Sequence, residues 1–178
     1  MIVTSSKIFY EKCLLLRQYG WGKNRISEIP GWNSRLDEIQ AAILRVKLKT
    51  LDADNRKRAA ITQIYDRMLT GSPVQTPLKI SGGRRVYHQY VIRAQKRNEL
   101  QNYLKKKNIQ ALIHYPVPVH RQKAYRHLNV AGPLKETEKA CGEILSLPVY
   151  PELPSKDARR TAEAVISFYK NKQVRPSA

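Results

Sequence analysis

Three groups of side chains have types and spacings that suit chemistry. The first is Gly31-Trp32-Asn33-Ser34-Arg35, running straight on into Leu36-Asp37-Glu38-Ile39-Gln40-Ala41-Ala42-Ile43-Leu44. An amide and a hydroxyl at a helix mouth, beside unpaired backbone N–H groups and the positive end of the helix dipole, make a site for an anion. Asn33 would donate to a phosphate there. The plainer reading is that Asn33 and Ser34 only cap the helix, which stabilises it by about 1 kcal/mol. The second group is His114-Tyr115-Pro116-Val117-Pro118-Val119-His120. Two histidines across two prolines are poorly spaced for a metal on a helix but suit a stiff loop that reaches a ligand. The alternative is one hydrogen-bonded, partly buried histidine and one that is merely exposed. The third is Arg25, in a stretch with Gly20 and Gly22, which by itself reads as a surface arginine.

Other reactive side chains read as structural. Tyr87 and His88 fall on opposite faces of a strand, and at least one belongs to the core. Glu136, Glu138 and Glu143 read as a helix start and a solvated face, and none is assigned as a general base. Cys13 and Cys141 have neither metal-ligand spacing nor a disulfide framework. No metal site and no catalytic residue is assigned.

Those side chains need elements to hold them. Residues 34–70 contain neither Gly nor Pro, with Leu36, Ile39, Ile43 and Val46 at helical spacing and Ile61, Ile64, Tyr65, Met68 and Leu69 repeating it. Ser34 with Asp37 makes a capping-box pattern, and Gly71 supplies a stop. A continuous helix here would be about 55 Å long at about 1.5 Å per residue, so it either links two domains or bends near Asp52 to Asn55. Before it, Ile2–Thr4 reads as a strand end and Ile8–Gln18 as a helix. After it come a strand over Val86–Arg93, a helix over Arg97–Lys107 capped by Asn108, and a strand over Ile109–His114. A short helix around Gln122–Leu128, a helix over Thr137–Ile144, a strand at Leu145–Pro148 and a Ser155-capped helix through Tyr169 complete the pattern. That order is an α/β layout with a small sheet covered by helices.

Composition narrows the function classes. The 178 residues suffice for a domain with a real core. No apolar run approaches a membrane span, and the first residues lack the pattern of a signal peptide, so a reducing cytoplasm is expected. The net charge of +19 raises a nucleic-acid reading. The basic groups, Arg56-Lys57-Arg58, Arg84-Arg85 and Lys105-Lys106-Lys107, are scattered, and no zinc-finger, RRM or basic-zipper pattern accompanies them. Solvated faces explain most of the charge, and attraction either of a diphosphate-bearing substrate or of an acidic missing half is the expectation for part of the rest.

Seven strings, taken in order, resemble the DegT/DnrJ/EryC1/StrS family of sugar-nucleotide aminotransferases. They are Met1–Thr4, Leu16-Arg17-Gln18-Tyr19-Gly20, Gly31–Leu44, Leu51–Arg56, Tyr87–Arg93, Ile113–His120 and Ile144–Pro151. The wording is nearest to members that aminate 3-keto-6-deoxy sugars carried on dTDP. The resemblance implies the C-terminal small domain of a fold-type I pyridoxal-phosphate (PLP) transferase, with a small, mainly antiparallel sheet covered by helices and a long inter-domain helix. Residues 1–33 would be a remnant of the large cofactor-binding domain, 34–70 the inter-domain helix, 71–170 the small domain and 171–178 a loose tail.

The resemblance also implies site roles. Asn33 would contact the PLP phosphate of the partner subunit in a homodimer, Arg25 would meet substrate, and His114, Tyr115 and His120 would lie near the sugar of a dTDP or UDP substrate. The family's cofactor lysine would precede Met1, and neither Lys7 nor Lys23 matches it. This chain is therefore expected to bind no PLP covalently and to be inactive alone. The other function classes are a non-catalytic module paired with an aminotransferase chain or its N-terminal half, and a basic nucleic-acid-binding domain.

Overall fold

The computed structural model describes residues 2–78, 82–83, 85–125, 127 and 132–173. They fall into two compact units, Met1–Thr50 and Leu51–Ala178.

In the first unit Ser6 opens helix α1 (Lys7–Leu16), its hydroxyl accepting from the Phe9 N–H. The chain leaves α1 through two left-handed residues, Tyr19 (φ 56°) and Gly20 (φ 72°). A small hairpin follows, bridged once between Trp21 and Ser27, with a 3-10 turn at Lys23–Arg25 as its tip. The backbone then runs antiparallel to the end of α1. Trp32 N–H donates to Leu16 O at 2.8 Å, Tyr19 N–H to Trp32 O at 2.8 Å, and Ser34 N–H to Arg17 O at 3.0 Å. This close approach requires glycine twice. A Cβ on Gly31 would lie 2.2 Å from the Gly20 nitrogen, and one on Gly20 would lie 1.7 Å from the Ile29 carbonyl oxygen. Helix α2 (Glu38–Leu48) ends the unit. Among its described residues only Gly20 is buried; Ile8 and Ile39 are 77% and 76% exposed. The strand end expected at Ile2–Thr4 does not form.

The second unit is made of α3 (Leu51–Leu69), β1 (Tyr90–Arg93), α4 (Arg97–Lys106), α5 (Lys135–Glu143), β2 (Ile144–Leu147) and α6 (Ser155–Gln173). The two strands are antiparallel, with Tyr90 opposite Leu147 and Arg93 opposite Ile144. Gln75 bridges Arg93, and Leu112 bridges Ser146. Ser146 faces both Val91 and Leu112, so β1 and β2 are each flanked by one further bridged segment, Gln75 beyond β1 and Leu112 beyond β2. Helix α6 turns Ala158, Thr161, Ala162, Val165 and Phe168 inward at helical spacing, against α3 and α4. Tyr65, Tyr90, Ile92, Leu100, Leu104 and Leu145 are buried at the centre. Two phenols are anchored inside it: Tyr65 Oη donates to Pro148 O at 2.8 Å, and Tyr90 Oη to an Asp66 carboxylate oxygen at 2.6 Å. Burial raises both hydroxyls above the ordinary tyrosine pKa, so both remain donors. Arg97 is also buried, its pKa lowered by desolvation. It donates to Ile144 O and Cys141 O, satisfying carbonyls where α5 ends.

Several elements differ from the sequence expectation. The helix expected over 34–70 is two helices, α2 and α3, and starts at Glu38. Ser34 is not its cap, because the helix begins only at Glu38 while Ser34 N–H is paired with Arg17 O; Asp37 is the N-cap residue, without a side-chain capping bond. Tyr87 is left-handed at φ 50°, which shortens the first strand to Tyr90–Arg93. The strand expected over Ile109–His114 reduces to the single Leu112 bridge. The short helix around Gln122–Leu128 is a 3-10 turn at Lys123–Tyr125, with residues 126 and 128 outside the described set. Helix α6 continues to Gln173, so the expected tail is helical through that point; residues 174–178 lie outside the described set. Asn108 does follow α4 in the left-handed conformation, at φ 57°.

Candidate functional site

Asn33 is the largest correction. It is not at a helix mouth but in extended backbone, bridged to Gln18 and upstream of the Asp37 cap. The physical reason is that the end of α1 takes up the hydrogen-bonding groups on both sides of it, at Trp32 and Ser34. The amide is exposed, and its Oδ1 accepts from Arg35 Nε at 3.0 Å. That leaves the Asn33 Nδ2 group and the two Nη groups of Arg35 without partners among the described residues. The result is a donor-rich surface, which suits an anion through side chains rather than a helix dipole.

Arg25 sits at the tip of the hairpin in the left-handed region, φ 57°, beside Asn24 at φ 59°. Its guanidinium carbon lies 5.8 Å from the centre of the Trp21 ring, and Tyr19 packs on the same tryptophan at 4.8 Å. Two consecutive left-handed non-glycine residues cost about 1–3 kcal/mol each, offset in part by this cation–π contact. Arg25 is therefore an exposed cation on a shaped tip.

In the second unit, His114 Nδ1 lies 2.9 Å from Ser146 Oγ on β2. His114 and Ser146 line a cavity of about 610 Å³ that also takes in His88, Tyr150, Asp157 and Arg160. Apolar Leu147, Val149 and Leu153 line it as well. Cavities of this size hold small organic ligands. Tyr115 packs its ring edge-on to His114 at 5.7 Å and is itself 69% exposed. The peptide bond between them is cis. His88 is exposed and Tyr87 packs on the core, so the two side chains do separate as strand neighbours would.

His120 is held elsewhere, in a 3-10 turn at Val119–Arg121. Its Nε2 lies 3.0 Å from Glu138 Oε1 on α5. Arg121 grips the same carboxylate with two donors, Nε at 2.9 Å and Nη2 at 2.7 Å. Hydrogen bonding from His120, with Arg121 adding charge and further bonds, holds the Glu138 carboxyl below the usual carboxylate pKa. Glu138 and Glu143 are therefore not merely a solvated face; Glu143 pairs with Arg93 at 2.7 Å. Ser146, Glu138 and Arg121 were missed as parts of the site. Their partners are 17 to 32 residues away in the chain, beyond any local pattern.

The structure thus joins His114 with Tyr115, gives His120 a separate anchor, and places Arg25 and Asn33 in the first unit. Among the described residues no group of acidic, cysteine and histidine side chains could hold a metal ion, and no helix is long and apolar enough to cross a membrane.

Comparisons with known proteins agree over nearly the whole length. The family model described as DegT/DnrJ/EryC1/StrS aminotransferase matches residues 1–166. A pleiotropic regulatory protein of Geobacillus stearothermophilus is 41% identical over 175 residues, covering 96% of this chain and 47% of that protein. The dTDP-3-amino-3,6-dideoxy-alpha-D-galactopyranose transaminase of Aneurinibacillus thermoaerophilus is 38% identical over 164 residues, 92% of this chain and 45% of the enzyme. A crystal structure of Streptomyces venezuelae DesV in complex with a ketimine intermediate superposes with a TM-score of 0.85 at 36% identity, covering 98% of this chain and 47% of that one. The chain spans about half the length of the curated relatives it matches.

Proposed function

Because the chain belongs to the DegT/DnrJ/EryC1/StrS aminotransferase family, we propose that it supplies the C-terminal half of a PLP-dependent enzyme that moves an amino group from glutamate to the keto carbon of a sugar carried on dTDP or UDP. The observation that carries this reading is the unbroken match over residues 1–166, which includes every string that bears a proposed site residue. In this reading the lysine that holds PLP covalently is not among these 178 residues, and alone they do not catalyse the reaction.

When bound, PLP supplies an electron sink that lets protons move at the carbon bearing the nitrogen. The donor chemistry of the Asn33 surface fits the group's phosphate: with Arg35 Nε tied to Asn33 Oδ1, Asn33 Nδ2 and the Arg35 Nη groups can donate, and no carboxylate is bonded to them among the described residues. Asn33 would hold that phosphate in a neighbouring subunit. Arg25 attracts the diphosphate of the substrate. His114, Tyr115 and His120 orient the sugar from a proline-stiffened loop. The apolar side chains exposed on the first unit, among them Ile8, Phe9, Ile39 and Ile43, favour assembly with a second copy or with an N-terminal half, since monomers rarely leave such surfaces open.

The test is a transamination assay of the whole protein with glutamate, PLP and keto sugars on dTDP and on UDP, read by mass spectrometry of the aminated sugar. Asn33→Ala is expected to weaken PLP retention about tenfold, equivalent to about 1.4 kcal/mol. No aminated product with either nucleotide would overturn the reading.

A further inference from the structure

His114 and His120 close a loop stiffened by Pro116 and Pro118, and each is fastened by a polar side chain from another element. His114 is tied to Ser146 of β2 and His120 to Glu138 of α5. Between the two ties, Val117 and Val119 are exposed along with Tyr115, so the loop presents side chains outward while its ends are fixed.

The second tie is directional. An ionised carboxylate only accepts hydrogen bonds, so the nitrogen of neutral His120 that faces it, Nε2, carries the hydrogen. Nδ1 then holds a lone pair, and no described residue bonds to it. Arg121 occupies both carboxylate oxygens, which stops the carboxylate from rotating away. The His120 side chain keeps 16% of its surface open, enough for contact with a ligand.

We propose that Glu138 is a positioning residue: it holds His120 as the Nε2–H tautomer and so presents Nδ1 as an acceptor for a sugar hydroxyl. The proposal rests on the reading that this loop meets a nucleotide sugar. A purely structural tie between the 3-10 turn and α5 would set the same tautomer, so the split between the two KM values separates the roles.

Long-range proton–nitrogen spectra of the histidine side chains of the 178-residue chain test it, with the His120 signals assigned by their loss in His120→Gln. At a pH where the ring is neutral, His120 is expected to show the Nε2–H pattern alone. Glu138→Ala is expected to give a mixture of tautomers, and Glu138→Gln, which keeps an acceptor for Nε2–H, to restore the single pattern. A mixture or an Nδ1–H pattern in the unaltered chain overturns the proposal. In the whole enzyme, Glu138→Ala is expected to raise KM for the keto-sugar nucleotide about tenfold while KM for the amino donor stays put. Equal rises for both substrates, or none for either, would mean that Glu138 is only structural. If no nucleotide sugar is aminated at all, the proposed function fails and the sugar contact of His120 fails with it, while a single Nε2–H pattern that is lost in Glu138→Ala would still show that Glu138 orients the ring.

Discussion

Residues Leu51–Ala178 bury Tyr65, Tyr90, Ile92, Leu100, Leu104 and Val165 almost completely, whereas among the described residues of Met1–Thr50 only Gly20 is buried. The two units are nonetheless shaped to similar detail. In the second, apolar burial does the work, at about 25 cal/mol per Å² removed from water. In the first, shape comes from backbone hydrogen bonds, the Gly20–Gly31 approach and one aromatic stack. Such bonds contribute only about 1 kcal/mol each net of water, while ordering the backbone costs about 1–2 kcal/mol per residue. The first unit's own bonds therefore do little to offset the ordering of its backbone. The difference separates a unit held by a buried core from one held by backbone pairing.

Core truncation should break the comparison most visibly. Leu104→Ala is expected to destabilise the chain by about 2–5 kcal/mol, read as a loss of unfolding free energy in urea. Ile39→Ala on α2 should change it by no more than about 0.5 kcal/mol. Equal costs would give the first unit a core of its own. Next in size, Tyr90→Phe removes the donor to Asp66 and should cost about 1–3 kcal/mol, because the carboxylate loses a partner at the edge of the core. Amide hydrogen exchange sharpens the contrast without mutation. In the monomeric chain, α3, β1, β2 and α6 should exchange only through global unfolding, and α1 and α2 through far easier local opening. Comparable protection in α1 would show that hydrogen bonding alone suffices.

The smallest effect concerns Glu138. Its carboxyl pKa is held down by His120 and Arg121, so the stabilisation is complete above the unfolded carboxylate pKa and is lost as pH falls through the lower folded value. Between the two values the Val119–Arg121 turn should loosen. A carbon NMR titration of the Glu138 carboxyl with a midpoint in the ordinary glutamate range would contradict this.

Where local chemistry decides an element, the sequence was sufficient. The α4 helix with Asn108 after it, the α6 periodicity and the Leu145–Leu147 strand are all readable from spacing and caps. Two kinds of feature escaped. Ser34 and Asp37 spell a capping box, yet the end of α1 competes for the same backbone groups and wins, so the helix begins later and Asn33 becomes part of an extended pairing. Ile109–His114 has strand residues, but only Leu112 meets a partner, because β2 offers that edge at Ser146 alone. The candidate site divided the same way. His114, Tyr115 and His120 stand out by type and by the prolines among them, whereas Glu138 and Ser146 become relevant only once folding brings distant segments together.

Both tryptophans of the chain, Trp21 and Trp32, lie in the unit without a core, and eight of the ten tyrosines lie in the other. Red-edge excitation thus selects the first unit, and tyrosine signals in the near-ultraviolet report mainly the second. Trp32 is the immediate neighbour of Asn33 and is 68% exposed. Its emission is a label-free optical gauge of whatever comes to cover that surface, one that leaves the buried phenols silent.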